Sequence, residues 1–374
     1  MKQLAPRFVV AIIVACLTAG VATTADACTA ITLKAMDGAV LFGRTMEWGA
    51  FDLNGRVILF PRGHEFTGQT PDGKPGLKWK GKYAVVGIDM LERGIVADGL
   101  NESGLALGLL YHPGFAEYAE YNPEKAGESM GPTDVAQYLL STCATVDDVQ
   151  AALKKVCVVP VVEPVLGFPA PIHFIVVDPS GKQIVIEFLK GEIKIFDAPL
   201  GVMTNAPTYD WHITNLRNYI NLSPVALPDK KIDNLQFKPL GAGSGMIGLP
   251  GDFTPPSRFI RAVAFTATVR KIPDGPETMY EMFRILDNFN VPLGAAEGSE
   301  HEKDTSLMRS STIWTVAYDT KNKVMYYHTQ HNRRVRKVDV GTIDFGTLKG
   351  GVITRPLDKK KVQDFEEVNP LAGR

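Results

Sequence analysis

The sequence predicts an α+β fold in which long antiparallel β-hairpins alternate with blocks of helices. Stretches that alternate or run apolar lie on both sides of strong turn signals, such as Met36-Asp37-Gly38 and residues 178–181, and this pattern is typical of hairpins. Other stretches repeat apolar residues at helical spacing, and several of them begin with proline in the first turn. At 374 residues, the chain is long enough to bury a large core.

The predicted elements follow in order along the chain. Apolar or alternating runs predict strands at residues 28–34, 39–45, 56–60, 84–89, 106–111, 172–177, 184–189, 311–318 and 323–328. Helical periodicity predicts helices at residues 132–141, 146–155, 207–220, 256–269 and 277–288. No internal repeat or low-complexity linker interrupts these patterns. We therefore interpret residues 28–374 as a single domain, with a charged surface tail from Asp358 onward.

The first 27 residues have the three parts of a secretory signal peptide. Lys2 and Arg7 supply the positive charge, and residues 8–21 form an apolar run that is too short for a membrane span. Ala25 and Ala27 fit the small pockets of a signal peptidase. We therefore expect cleavage after residue 27, a secreted protein that resides in the periplasm, and no attachment to the membrane after cleavage.

Two alternatives to this cleavage stay open. The apolar run can remain attached as a membrane anchor, or lipid can be attached to Cys28. A lipidation signal needs a leucine-like residue three positions before the cysteine and a small residue just before it. Ala25 and Asp26 fit that signal poorly.

Composition excludes several classes of function. Removal of the signal peptide leaves 38 of the 40 basic and 40 of the 41 acidic side chains, without the basic stripe that a nucleic-acid partner would require. Residues 243–248 spell G-x-G-x-x-G but lack the preceding strand and the following helix of a dinucleotide site. Neither H-E-x-x-H nor C-x-x-C occurs. We expect no metal and no organic cofactor.

Cleavage would leave three cysteines, of which Cys28 would be the first residue. A bridge between Cys143 and Cys157 is open, as is the alternative of two buried thiols. An N-terminal cysteine carries a thiol and an α-amine on one residue, and the amine has a pKa of about 7.7–8.0. Because the amine can take the thiol proton and later return one to a leaving group, a single residue can be both nucleophile and base.

Four segments resemble the choloylglycine hydrolase family, which includes conjugated bile salt hydrolases and penicillin V acylases. They are CTAITLKAMDGAVLFGRTMEW (28–48), ADGLNESGLALGLLY (97–111), MTNAPTYDWH (203–212) and GLPGDFTPPSRFIRAVAF (248–265), in the order of the family. The resemblance implies a four-layer αββα N-terminal nucleophile hydrolase fold and a homotetramer. It also implies hydrolysis of small-molecule N-acyl amides.

The resemblance assigns roles to individual residues. Cys28 matches the nucleophile, and Arg44 matches an arginine that favours the thiolate, with a surface strand arginine as the alternative. Asn205 matches a side-chain donor to the oxyanion, with helix N-capping as the alternative. Tyr111 falls where the family supplies a backbone N–H to the same oxyanion. Arg258 matches a second arginine that positions Cys28 and its carboxylate neighbour.

Glu47 departs from the commonest family pattern. Many members have aspartate here, bonded to the α-amine of the nucleophile. Glutamate keeps the charge but adds a methylene, which moves the carboxylate by about an ångström or more. The role of Glu47 is therefore open: a backbone adjustment can preserve it, or it can pass to a water.

Two aromatic residues bear on the substrate. At Tyr111, bile salt hydrolases generally have asparagine, whereas penicillin V acylases resemble this chain in having tyrosine. A tyrosine ring adds bulk beside the scissile carbonyl, and Trp48 can add a second aromatic wall, with core packing as its alternative. The expected activity is that of a penicillin V acylase-like amidohydrolase, which also admits N-acyl homoserine lactones. Bile salt hydrolysis and a catalytically silent binding protein are the alternatives.

Overall fold

Two antiparallel sheets form the centre of the protein. The structure is a computed structural model that describes residues 28–296, 305–348 and 351–368, so the predicted signal peptide lies outside the described residues. The sheet strands are numbered along the chain: β1 (Thr29–Lys34), β2 (Val40–Glu47), β3 (Arg56–Phe60), β4 (Val85–Met90), β5 (Ile95–Asn101), β6 (Ala106–Tyr111), β7 (Ile172–Val177), β8 (Gln183–Leu189), β9 (Glu192–Asp197), β10 (Val202–Met203), β11 (Thr312–Asp319), β12 (Val324–Thr329), β13 (Arg336–Asp339) and β14 (Ile353–Pro356).

Each sheet is continuous from edge to edge. Sheet one has the strand order β10-β1-β2-β11-β12-β13, and sheet two has the order β9-β8-β7-β6-β5-β4-β3-β14. The inner strands are buried along their whole length, because side chains from both faces pack against another layer. Phe42 of β2 lies so close to β6 that a Cβ on Gly108 would come within 2.7 Å of its ring. The two sheets therefore pack face to face.

Helices cover both outer faces. They are α1 (Val135–Thr142), α2 (Val146–Leu153), α3 (Tyr209–Asn215), α4 (Pro255–Thr268) and α5 (Gly275–Leu286). Helix α1 packs on β5 and β6, whereas α4 and α5 pack on β1, β2 and β11. Gly43 lets α5 approach sheet one closely, since a Cβ there would meet the Met282 sulfur at 2.7 Å. The expected αββα fold is thus present.

The predicted elements coincide with most of the observed ones. The strands at 56–60, 106–111 and 172–177 match within a residue at each end. The predicted helix at 207–220 divides into α3 and a 3₁₀ turn, Leu216–Tyr219. Strands β5, β9, β10, β13 and β14 were not predicted.

Other sequence-based expectations have structural counterparts. Cys143 is buried and Cys157 is half-buried, and neither is disulfide-bonded. A short 3₁₀ helix, Ala242–Met246, occupies the G-x-G-x-x-G segment. Within the described ranges, no helix combines the length and apolarity that crossing a bilayer requires.

Candidate active site

Three neighbouring strands of sheet one bring the first parts of the site together. Cys28 lies directly before β1, and Ala30 pairs with Arg44 of β2 on one side and with Met203 of β10 on the other. Two residues after Met203, the chain reaches Asn205. Because these strands are adjacent, the nitrogen of Cys28 donates to Oδ1 of Asn205 at 2.8 Å, although the residues are 177 positions apart.

Arg44 is fully buried and directs its guanidinium at the thiol. Its Nη2 donates to Cys28 Sγ at 2.9 Å, and its Nη1 donates to the Leu109 carbonyl at 2.8 Å. Burial raises the pKa of the Cys28 thiol, while the positive charge of Arg44 lowers it. Arg44 is therefore not a surface arginine, and its guanidinium contacts the Cys28 thiol directly.

Asn205 lies at the centre of a buried hydrogen-bond network. Its Oδ1 accepts from the Cys28 nitrogen and from Arg258 Nη2 at 2.7 Å, and its Nδ2 donates to the Tyr111 carbonyl at 2.7 Å. The helix that follows has Thr208 as its N-cap residue, so Asn205 is not a helix cap. Its carboxamide has a second N–H, which is the donor that an oxyanion role requires.

Arg258 reaches the site from α4. Its Nη1 donates to the Cys28 carbonyl and, at 2.9 Å, to Thr29 Oγ1, while Nη2 holds Asn205. Burial lowers the pKa of Arg258 to about 10, which leaves it charged at neutral pH. Arg258 thus fixes the backbone of Cys28 and the side chain of Asn205 relative to each other. Its effect on Glu47 is electrostatic, since its charge lowers the pKa of that carboxyl.

Glu47 ends β2 with a buried carboxyl group. Oε1 accepts from Thr312 Oγ1 at 3.1 Å, and Oε2 has no hydrogen-bond partner among the described residues. Burial raises the pKa of Glu47 to about 8. Oε2 is therefore the oxygen that is available to the α-amine of Cys28. It is desolvated, and Glu47 lines the same cavity as Cys28.

An apolar cavity of about 60 Å³ opens beside Cys28. Trp48 and Tyr111 form one wall, with their rings edge to face at 5.6 Å, and the Phe51 ring also packs against Trp48 at 5.6 Å. Most of the other lining side chains are aliphatic: Met46, Leu53, Met90, Leu91, Ile95, Leu109, Leu166, Ala170 and Ile172. A lining of this apolar character is typical of a site for a small apolar group.

Sequence reasoning missed two residues that support Arg44. Asp98 of β5 is fully buried and lies 3.5 Å from Arg44 Nη1, so it supplies the counter-charge. The Met46 sulfur lies 3.3 Å from Arg44 Nη2 and 4.0 Å from Cys28 Sγ. Asp98 could have been found from the sequence, because it is an acidic residue inside an otherwise apolar strand pattern. Met46 could not have been found in this way, since methionine is an ordinary core residue.

A second buried cluster, His112, His173 and Glu187, has the composition of a metal site. The two imidazole rings are stacked, with centroids 4.2 Å apart and an interplanar angle of 6°. A ligated metal lies near the plane of each imidazole, and no point lies in two separate parallel planes. The observed ring geometry therefore does not fit a shared ion. Within the cluster, Nε2 of His173 instead contacts the carbonyl oxygen of Thr204, next to Asn205.

Residues 28–350 match the linear amide C–N hydrolases of the choloylglycine hydrolase family. The chain is 32% identical over 322 residues to a bile salt hydrolase/transferase of Clostridium perfringens, covering 84% of this chain and 92% of that protein. It is 26% identical to a penicillin V acylase of Pectobacterium atrosepticum, covering 82% and 78% of the two chains.

Fold similarity agrees with this match. A crystal structure of a variant of the conjugated bile acid hydrolase from Clostridium perfringens superposes with a TM-score of 0.78 at 29% identity. The superposition covers 91% of this chain and 100% of that one. The thiol, the adjacent guanidinium and the buried carboxamide are groups that suit nucleophilic attack on a carbonyl. The chain belongs to the choloylglycine hydrolase family and is a hydrolase of linear amide C–N bonds.

Proposed function

We propose that the protein is an exported cysteine amidohydrolase that cleaves N-acyl amides with flat or slender acyl groups, as a penicillin V acylase does. The observation that carries the proposal is the aromatic wall of Trp48 and Tyr111 beside Cys28. Such a wall favours an aryl or a straight acyl chain over a rigid, branched steroid. Phenoxyacetyl amides and long-chain N-acyl homoserine lactones both have acyl groups of this shape.

The proposed reaction starts when removal of residues 1–27 exposes the α-amine of Cys28. The amine takes the thiol proton, and the thiolate, held by Arg44, attacks the acyl carbonyl. Asn205 and the Tyr111 N–H hold the oxyanion of the tetrahedral intermediate. The C–N bond then breaks, and the amine product leaves with the proton that the α-amine returns. Water hydrolyses the thioester and regenerates the thiol.

Side-by-side kinetics test the substrate. We expect the mature enzyme to have a lower kcat/KM for glycocholate than for penicillin V and for a long-chain N-acyl homoserine lactone. The matched variant is Tyr111→Asn, which keeps the backbone N–H and removes the ring. It should reduce the difference in kcat/KM between glycocholate and the other two substrates. A kcat/KM for glycocholate that is about tenfold above the other two would contradict the proposal.

Bile salt hydrolysis is the second candidate. The similarity to the Clostridium perfringens bile salt hydrolase/transferase, which covers 92% of that protein, favours it. The same kinetic comparison decides between the two candidates. A silent binding protein is disfavoured by the geometry, because Cys28 is hydrogen-bonded to both Arg44 and Asn205.

The intact mass of the exported protein tests the N-terminus. We expect a mass that begins at an unmodified Cys28, which is the form with a free α-amine. Added diacylglycerol mass would identify a lipoprotein, and retained residues before Cys28 would block the amine as a base. Either result would contradict the proposed mechanism.

We also propose that the enzyme is a homotetramer in which an exposed β-hairpin mediates association. The hairpin pairs Lys230–Ile232 with Leu235–Phe237, and Ile232, Leu235 and Phe237 are half or more exposed. Apolar side chains grouped on a protruding hairpin are typical of a protein–protein contact.

A further inference from the structure

Two buried histidines hold the backbone on either side of Asn205. Nε2 of His173 lies 2.9 Å from the carbonyl oxygen of Thr204, and Nε2 of His212 lies 3.0 Å from the carbonyl oxygen of Asn205 itself. A carbonyl oxygen can only accept a hydrogen bond. Each Nε2 must therefore carry the proton and donate it.

These two carbonyls belong to the two peptide groups that meet at the Asn205 Cα. Their orientations set φ and ψ of Asn205 and hence the direction of its Cα–Cβ bond. That direction decides where the carboxamide lies relative to Cys28 and Tyr111, with which it forms bonds of 2.8 and 2.7 Å.

Both imidazole rings are themselves held in place. The His212 ring stacks on Phe259 of α4, with centroids 4.7 Å apart and an interplanar angle of 13°. Nδ1 of His173 can then only accept, and it lies 3.4 Å from Glu187 Oε1, so a hydrogen bond between them needs the protonated carboxyl group. The same Oε1 accepts from the Tyr209 N–H at 2.9 Å. Burial lowers the pKa of His173 to about 3 and that of His212 to about 4, so both rings are neutral at pH 7. A neutral ring with its proton on Nε2 supplies the one donor that each carbonyl needs.

We propose that His173 and His212 are positioning residues of the hydrolase, which act by fixing the two peptide groups that aim Asn205 at the reacting carbonyl. This inference rests on the proposed role of Asn205 in the reaction. It assigns a task to two histidines that the mechanism does not otherwise use.

A double-mutant cycle tests the assignment. His212→Leu should lower kcat by about 10- to 100-fold, because a displacement of about 1 Å at a reacting group has effects of this size. KM should stay within about twofold. In an Asn205→Ala background the same change should have an effect of about twofold or less, since a residue that acts through Asn205 has nothing left to position. Equal losses in the two backgrounds would overturn the proposal.

Conservative variants and a control separate positioning from stability. In His212→Gln the amide nitrogen takes the place of Nε2, and it should recover most of the lost kcat. His173→Gln and His173→Leu repeat the comparison at the other carbonyl and keep the test available if one leucine variant does not fold. The control is His328→Leu, which removes a buried imidazole that packs against Phe283 of α5. A kcat loss in the control equal to that in His212→Leu would overturn the assignment.

A crystal structure of mature His212→Leu decides the geometry without any substrate. The distance from Asn205 Oδ1 to the Cys28 nitrogen should exceed the 3.5 Å limit of a hydrogen bond. If it stays at 2.8 Å, the positioning role is wrong whatever the enzyme hydrolyses. If instead the wild type cleaves none of the three amides, the proposed function fails while this structural measurement still tests the inference.

Discussion

Cys28 is a buried residue with a proposed role as the nucleophile. Burial alone would keep its thiol protonated, because a desolvated thiolate is unfavourable. The guanidinium of Arg44 at 2.9 Å offsets part of that cost. The remaining activation must come from a proton acceptor, and the α-amine of the same residue is the proposed one.

The contribution of Asn205 can be measured directly. We expect Asn205→Ala to lower kcat by about 10²–10³-fold, the usual effect of removing an oxyanion donor. Cys28→Ala sets the baseline, since it should fold normally and lose hydrolysis altogether. Circular dichroism and steady-state kinetics on the three proteins check both expectations. An unchanged kcat in Asn205→Ala would remove this residue from the reaction.

Glu187 predicts a pH dependence of stability. Burial raises its pKa to about 7, whereas a glutamate in the unfolded chain titrates near 4.3. Between these values the unfolded chain loses the proton and the folded protein keeps it, so rising pH favours unfolding.

Relative to Glu187→Gln, the wild type should therefore lose unfolding free energy as the pH rises from about 4.3 to about 7. Above the folded pKa the difference between the two proteins should be constant. Urea unfolding of both proteins across this range measures the difference. A difference that stays constant across this range would show that the carboxyl is already ionised in the folded state.

At the scale of elements, the strands and helices that could be predicted are those determined by a local pattern of apolar and turn residues. The β1–β2 hairpin follows from alternation around Met36-Asp37-Gly38, and helices α4 and α5 follow from apolar periodicity after proline. Strand β5 was missed because Asp98 and Gly99 interrupt its apolar run, and tertiary burial of Asp98 overrides that local signal. Strand β9 was missed because its residues are half-buried or exposed at the sheet edge.

The site residues that lie in segments resembling the family could be predicted from the sequence. The residues that reach the site only through tertiary packing could not. Cys28, Arg44, Asn205 and Arg258 lie in matched segments and meet in the structure. The cavity wall contributed by Leu166 comes from the segment between two short strands, Val162–Glu163 and Phe168–Pro169, which carries no sequence signal for the site.

The exposed hairpin gives an element-scale prediction. Leu235→Asp places a charge on an apolar side chain that is 64% exposed, and it should dissociate the tetramer while leaving the monomer folded. Sedimentation velocity measures the assembly state, and Lys230→Asp on the same hairpin is the control for added negative charge. A wild-type protein that sediments as a monomer would contradict the tetramer proposal.

At the scale of the whole molecule, a polar group joins the two sheets. Asp98 of sheet two accepts from Trp314 Nε1 at 3.1 Å and from Tyr318 O–H at 2.6 Å, both on β11 of sheet one. It also lies beside Arg44. The buried carboxylate that lies beside Arg44 therefore also joins the two sheets.

Asp98→Ala should destabilise the protein by about 3–5 kcal/mol, because it leaves the buried Arg44 without its counter-charge. Tyr318→Phe removes one hydrogen bond to the carboxylate and should cost about 1.5–3 kcal/mol. Denaturant unfolding gives both values, and kcat should fall in Asp98→Ala as Arg44 shifts. If Asp98→Ala is no more destabilising than Tyr318→Phe, the ion pair is not important for stability.

The distances along the chain between the partners of the site have a kinetic consequence. Cys28 bonds to Asn205 across 177 residues and to Arg258 across 230, and Thr312 reaches Glu47 across 265. Contacts between such distant segments form late, because long loops must close first. During refolding from urea, hydrolysis should therefore return only with the slowest phase seen by tryptophan fluorescence. A nascent chain would accordingly contain the Cys28 thiol but would have no hydrolase activity until almost all of its length has folded.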